Sequence, residues 1–174
     1  EEKGFCTPFG KCFDMGKTTQ EAIYNYRINK YRIEIGEMLA EKCGSRDILS
    51  NGNGSLMRIF PLLYFIKDMD IDKRLEYTAK TSAITHGHFI AIYACFIYLE
   101  YCILLLNEME KFEAYQKLKE NLKNFNIDEK MNLVRLGTSL HSTYSTLLDG
   151  DISQLPENLI KSSGYVIDTL EASF

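Results

Sequence analysis

The chain has 174 residues, enough for one domain with a real core. Hydrophobic residues make up 45% and charged residues 25%, and 3 Pro with 11 Gly are too few for a disordered linker. The formal net charge of −4 supplies no general attraction for nucleic acid or for an anionic membrane, so neither is expected as a partner.

Residues 1 to 17 read as irregular, with Gly4, Pro8, Gly10 and Gly16. Thr18-Thr19-Gln20-Glu21 is a capping-box pattern, with Thr18 as N-cap and Glu21 three residues on. It predicts a helix running to about Glu41, with a weak point near Gly36. A loop holding Gly44 and Ser50-Asn51-Gly52-Asn53-Gly54 follows. A second helix is predicted to begin near Ser55 and to carry Leu56, Ile59, Leu62 and Leu63, with Pro61 inside it as a kink. Asp68-Met69-Asp70-Ile71-Asp72 reads as a polar turn before a helix leading to Thr85-His86.

From Phe89 to Leu106 the chain is nearly all apolar or aromatic, and Glu100 is the only charge. The run is at the lower limit of a membrane span. Its buried charge, its tyrosines and the lack of basic flanks favour the central helix of a folded core. Lys111 to Phe125 is a charged amphipathic helix. Another is predicted from Asp128, as N-cap, to about Leu148. Asp149-Gly150-Asp151 turns the chain, Pro156 opens a short helix, and a last helix starts near Gly164. No stretch shows period-two alternation, and no internal repeat occurs. The class is all-α, one domain over residues 1–174.

The cysteines are Cys6, Cys12, Cys43, Cys95 and Cys102, an odd number with no CxxC pair. They read as reduced thiols of a cytoplasmic protein rather than a disulfide frame or a zinc site. Ile167, Leu170 and Phe174 keep a helical spacing to the last residue with no stop signal, which is the pattern of a piece of a longer chain.

The stretch Ser50-Asn51-Gly52-Asn53-Gly54-Ser55 admits two readings. Gly and Asn are common turn residues, so it can be a plain turn with an N-cap serine. Glycines before a helix N-terminus also let backbone amides approach an anion, and the helix end adds positive partial charge. Asn51 and Asn53 would add amides for ribose hydroxyls, and Ser55 a cap or a phosphate donor. Arg58, one turn on, points either to that charge or into a structural pair.

Asn51-Gly52-Asn53-Gly54-Ser55-Leu56-Met57-Arg58, with Ile59-Phe60-Pro61-Leu62 behind it, closely resembles a motif of the ADP-ribosylglycohydrolase family, of the dinitrogenase reductase-activating type. Three further stretches resemble the family in order: Phe13-Asp14-Met15-Gly16-Lys17-Thr18-Thr19, Thr85-His86-Gly87-His88, and Ser162 to Ala172 with its SGYVIDTLEA core. The resemblance implies an all-helical fold that binds ADP-ribose and cleaves ADP-ribosyl bonds with two magnesium or manganese ions. It implies that Asn51, Gly52, Asn53, Gly54 and Ser55 approach the diphosphate and ribose, that His86 sits near the ligand, and that Tyr165 stacks on adenine. Without the motif, His86 reads as a helix junction and Tyr165 as core. His88 and His141 match no family role, and Asp14 and Asp168 read as structural.

The family's metal carboxylates come from a Thr-Asp-Asp-type and an Asp-x-Asp-Thr motif, and neither occurs in this sequence. Asp68, Asp70, Asp72, Asp149 and Asp151 lie in turn signals without the spacing of a metal loop. No metal ligand and no catalytic residue is therefore assigned. The expectation is a chain that holds ADP-ribose without cleaving it unaided, or a helical interaction module on the same scaffold.

Overall fold

A computed structural model describes Gly10, residues 15–133 and residues 137–174. The apolar run becomes a single helix, α4 (Phe89–Leu106), and the fold is built round it. Eleven of its residues, from Ile90 to Ile103, are buried. α3 (Ile71–Ala83), α5 (Lys111–Asn124) and α9 (Val166–Glu171) all pack against it. α4 is long and apolar enough to cross a membrane, with a mean hydropathy of 2.2, and 67% of that window is buried inside the fold. Among the described residues there is no strand, only two single backbone bridges, so the class is all-α.

The one charge in α4 finds its partner on α3. Arg74 Nε and Nη2 donate to the two Glu100 carboxylate oxygens at 2.6 and 2.7 Å, and Nη1 donates to the Met69 carbonyl. A bidentate fork of this kind lets a carboxylate sit in an apolar wall. α3 itself starts where the polar turn predicts, because the Asp70 carboxylate accepts from Lys73 N at 2.9 Å.

Other expected elements are shorter than the sequence suggests. α1 (Lys17–Glu34) takes Gly16 as N-cap with no side-chain cap, so Thr18 and Glu21 form no capping box. The helix stops before Gly36, which sits at φ 78°, a left-handed geometry that glycine tolerates. Only a 3₁₀ turn, Ala40–Lys42, remains of the rest.

The helix predicted from Ser55 is two 3₁₀ turns, Leu56–Arg58 and Phe60–Leu62, before α2 (Leu63–Ile66). Pro61 has no N–H to give the ladder, which limits the segment to such turns.

The long helix expected from Asp128 to Leu148 is likewise broken. Among the described residues three short helices stand in its range, α6 (Ile127–Lys130), α7 (Leu140–Thr143) and α8 (Ser145–Leu148). Asn132 and Gly137 both take positive φ, which ends helical winding between α6 and α7. Asn126, not Asp128, caps α6. The Asp128 carboxylate accepts from Leu140 N at 2.7 Å and so pins α7 to α6. Pro156 precedes only a 3₁₀ turn, Glu157–Leu159, and α9 begins two residues after Gly164. Phe174 lies beyond α9, its ring 4.5 Å from that of Tyr101. Cys43, Cys95 and Cys102 are free thiols, while Cys6, Cys12 and Asp14 lie outside the described residues.

Candidate functional site

The Ser50–Ser55 loop is a junction between three parts of the fold. Asn53 N donates to the Gly164 carbonyl at 2.9 Å, and Val166 N donates to the Asn51 carbonyl at 3.0 Å. These two bonds pair Gly52 with Tyr165 and fix the loop to the start of α9. The Asn51 side chain turns into the core, where it is 2% exposed. Its Nδ2 donates to the Ile48 carbonyl and to His88 Nδ1, and its Oδ1 accepts from Ala91 N. Asn51 and His88 thus close the N-terminus of α4, a structural task for both.

Ser55 is also fully buried, and its Oγ accepts from the Cys95 thiol at 3.5 Å. Burial pushes that thiol up to about 11, so it stays protonated at neutral pH. Asn53 divides its groups: Nδ2 donates to Thr169 Oγ1 at 2.9 Å, and the loop amides of Gly52 and Gly54 donate to none of the described residues.

Those two glycines face a cavity of about 590 Å³. Its wall is made by Met15, Gly16, Lys17, Thr18 and Thr19 at the start of α1, by Gly52, Asn53, Gly54 and His86, and by Gly164. Leu49 and Met57, 92% and 74% exposed, form an apolar rim. Asn51, Ser55 and Tyr165 are not in the wall. Tyr165 stands beside it, with its backbone paired to Gly52 and its ring partly exposed.

The positive helix end therefore belongs to a different helix from the one expected after the loop. The first hydrogen bond of α1 is Gln20 N to Gly16 O, and the amides of Lys17, Thr18 and Thr19 have no backbone partner among the described residues. Among the described residues no side chain caps them, and no acid lies in the first turn. The signal was present as glycine, lysine and two threonines without an early acid, but the apparent capping box concealed it.

His86 reaches the cavity from the junction of α3 and α4. Its backbone N donates to Ser82 O at 2.8 Å, and its carbonyl accepts from Ser82 Oγ at 2.9 Å. Ser45 N donates to Thr85 O, and Gly87 N donates to Ser45 O. This close pairing needs Gly44, where a Cβ would lie 2.2 Å from the Ala83 carbonyl oxygen. On the ring, Nδ1 meets Thr85 Oγ1 at 2.8 Å. Burial, with the charge of Arg58 behind it, pushes His86 down to about 4, so the ring is neutral at physiological pH. Arg58 makes no ion pair among the described residues: its Nη2 donates to Thr85 Oγ1 and to the carbonyls of Thr81 and Ser82 at the end of α3. His141 lies apart, bonded to Asp149 at 2.8 Å on the surface, and Asp168 accepts from Ser163 Oγ.

The depressed His86 has a consequence for stability. The unfolded chain binds this proton near pH 6.5 and the folded chain only near 4, so stability is complete above pH 6.5 and falls between pH 6.5 and 4. The expected loss from this group is on the order of 2 kcal/mol. Glu171, raised by burial and by Asp168, acts with the opposite sign. The check is therefore a difference: urea midpoints at pH 7.5 and 4.5 should converge less in the wild-type chain than in His86→Gln. Equal acid sensitivity of the two would refute a neutral, buried His86.

The donor set also decides which ligand charge fits. Among the described residues the cavity wall offers amides, hydroxyls, one imidazole and Lys17, but no carboxylate. Among the described residues no three His, Cys, Asp or Glu side chains converge. Hard divalent cations take oxygen donors, mainly carboxylates, so these residues do not fit a magnesium or manganese pair. They fit an anion.

The sequence matches the family model described as ADP-ribosylglycohydrolase over residues 2–174. It is also similar to the ADP-ribosylarginine hydrolase Tri1 of Pseudomonas putida (strain GB-1), 27% identical over 164 residues, which are 94% of this chain. The chain spans 37% of the length of that relative. With almost every residue inside the family match and the fold all-helical, this chain belongs to the ADP-ribosylglycohydrolase family.

Proposed function

We propose that the cavity between the start of α1 and the Gly52–Gly54 loop binds the ADP-ribosyl group, as part of a protein that hydrolyses ADP-ribosyl bonds. One observation carries the reading: two sets of backbone amides, on Gly52 and Gly54 and on Lys17 to Thr19, line one cavity, with no backbone partner and no acid for them among the described residues. Such a wall suits a diphosphate, and a cavity of about 590 Å³ is of the size that takes a nucleotide-like ligand. The Asn53 amide and His86 can serve ribose hydroxyls, and the Tyr165 ring beside the wall offers a face for adenine. The similar Pseudomonas putida protein is named for ADP-ribosylarginine, which makes an ADP-ribosylated arginine the first substrate to test.

Hydrolysis in this reading uses magnesium or manganese held by carboxylates other than the cavity wall. The chain by itself is then a binding module in the cytoplasm. Calorimetry with ADP-ribose, with and without a chelator, tests this. The expected result is one binding site with the same affinity in both arms. No binding at millimolar ADP-ribose would overturn the pocket. Magnesium-dependent release of ADP-ribose from ADP-ribosylarginine by the 174 residues alone would overturn the assignment of no catalytic group here.

A further inference from the structure

Three groups stand in a line behind the cavity. Arg58 Nη2 lies 2.7 Å from Thr85 Oγ1, and Thr85 Oγ1 lies 2.8 Å from His86 Nδ1. Arginine has only donors, so the first contact occupies a lone pair of the threonine hydroxyl. The hydroxyl has one proton, and His86 Nδ1 is the acceptor within its reach among the described residues. A hydroxyl that donates to Nδ1 leaves the ring proton on Nε2.

The far edge of the ring meets the loop. A Cβ on Gly52 would stand 3.7 Å from Nε2, and one on Gly54 would stand 2.9 Å from Cε1. Nε2 has no partner among the described residues, and His86 is part of the cavity wall. We propose that Arg58 is a positioning residue which, through Thr85, holds the His86 proton on Nε2 and so presents the cavity with a fixed, uncharged donor for an oxygen of the bound group.

The proposal rests on the ADP-ribosyl reading for the identity of that oxygen, but not for the tautomer. It explains why an arginine next to the loop turns away from the cavity. Its charge is spent on the carbonyls of Thr81 and Ser82, and what reaches the site is an orientation. A neutral Nε2–H donates to phosphate or hydroxyl oxygen without adding a second cation beside Lys17.

Long-range ¹⁵N–¹H correlation spectra of the His86 ring in the intact chain read the tautomer directly. At pH 7 the wild type is expected to show a protonated Nε2 and a pyridine-type Nδ1 that accepts a hydrogen bond. Thr85→Val keeps both Arg58–carbonyl bonds, so it tests the relay even where Arg58→Met fails to fold. In either variant the Nδ1 resonance should shift as its donor is lost or released. ADP-ribose affinity should fall about three- to tenfold, the effect of one neutral hydrogen bond, and Thr85→Ser should restore it. A proton on Nδ1 in the wild type overturns the proposal. So does a Thr85→Val chain with unchanged ring shifts, or one with unchanged affinity. A wild-type chain with the expected tautomer that binds no ADP-ribose would overturn the ligand reading and leave the relay standing.

Discussion

Gly54→Ala is expected to weaken ADP-ribose binding by at least about tenfold while the helical core melts as in the wild type. Gly54 does not need left-handed backbone; its lack of a side chain is what matters. An added Cβ would stand 2.9 Å from His86 Cε1 and 3.3 Å from Thr19 Oγ1, so it would press on both halves of the cavity wall. The imidazole cannot swing away freely, because Thr85 holds Nδ1 and Ser82 holds both backbone groups of His86. The loop amide must move instead, and a diphosphate cradle loses its geometry when one amide moves. Gly52→Ala is the internal control: its Cβ meets nothing nearer than 3.7 Å, an ordinary contact, so its effect should be the smaller. Calorimetry on both, with thermal melts alongside, checks the order. Wild-type affinity in Gly54→Ala would remove the steric argument for the loop.

The largest stability effect is expected at the ion pair inside the core. Glu100→Ala leaves the Arg74 guanidinium facing α4 without its carboxylate, and breaking a buried pair in this way costs about 3–5 kcal/mol. For a domain of this size that lowers the melting temperature by about 10 °C. Arg74→Met with Glu100→Leu removes both charges and should recover most of the loss, since the desolvation cost vanishes with the attraction. Neither residue lines the cavity, so ADP-ribose affinity of the folded double variant should match the wild type. A Glu100→Ala chain as stable as its parent would show that the pair adds nothing.

The legible part of this sequence was its apolar pattern. α4 has the bounds that the run from Phe89 to Leu106 predicts, and α3 and α5 follow their amphipathic stripes, because burial of one continuous face decides those elements. The segments near the loop were misread where local signals competed. The Thr18–Glu21 capping pattern lost to Gly16, and Pro61 reduced a predicted helix to 3₁₀ turns. Asp128 looked like an N-cap for its own helix and instead caps α7, a partner twelve residues away that no local pattern reveals.

The site shows the same division. Gly52, Asn53, Gly54 and His86 stand together at the cavity. Asn51 and Ser55, at either end of that loop, are buried instead, their side chains bonded to His88 and Ala91 and to Cys95. The contribution of Lys17 to Thr19 depends on segments distant in sequence meeting across the fold, a tertiary fact.

In the proposed complex, backbone amides of the loop and of the α1 start hold the diphosphate. Amide ¹H–¹⁵N spectra of the chain during an ADP-ribose titration test it residue by residue. Saturable shifts are expected at Thr18, Thr19, Gly52 and Gly54, with the amides of α5 and α6 unmoved. Shifts confined to other surfaces, or none at millimolar ligand, would contradict it.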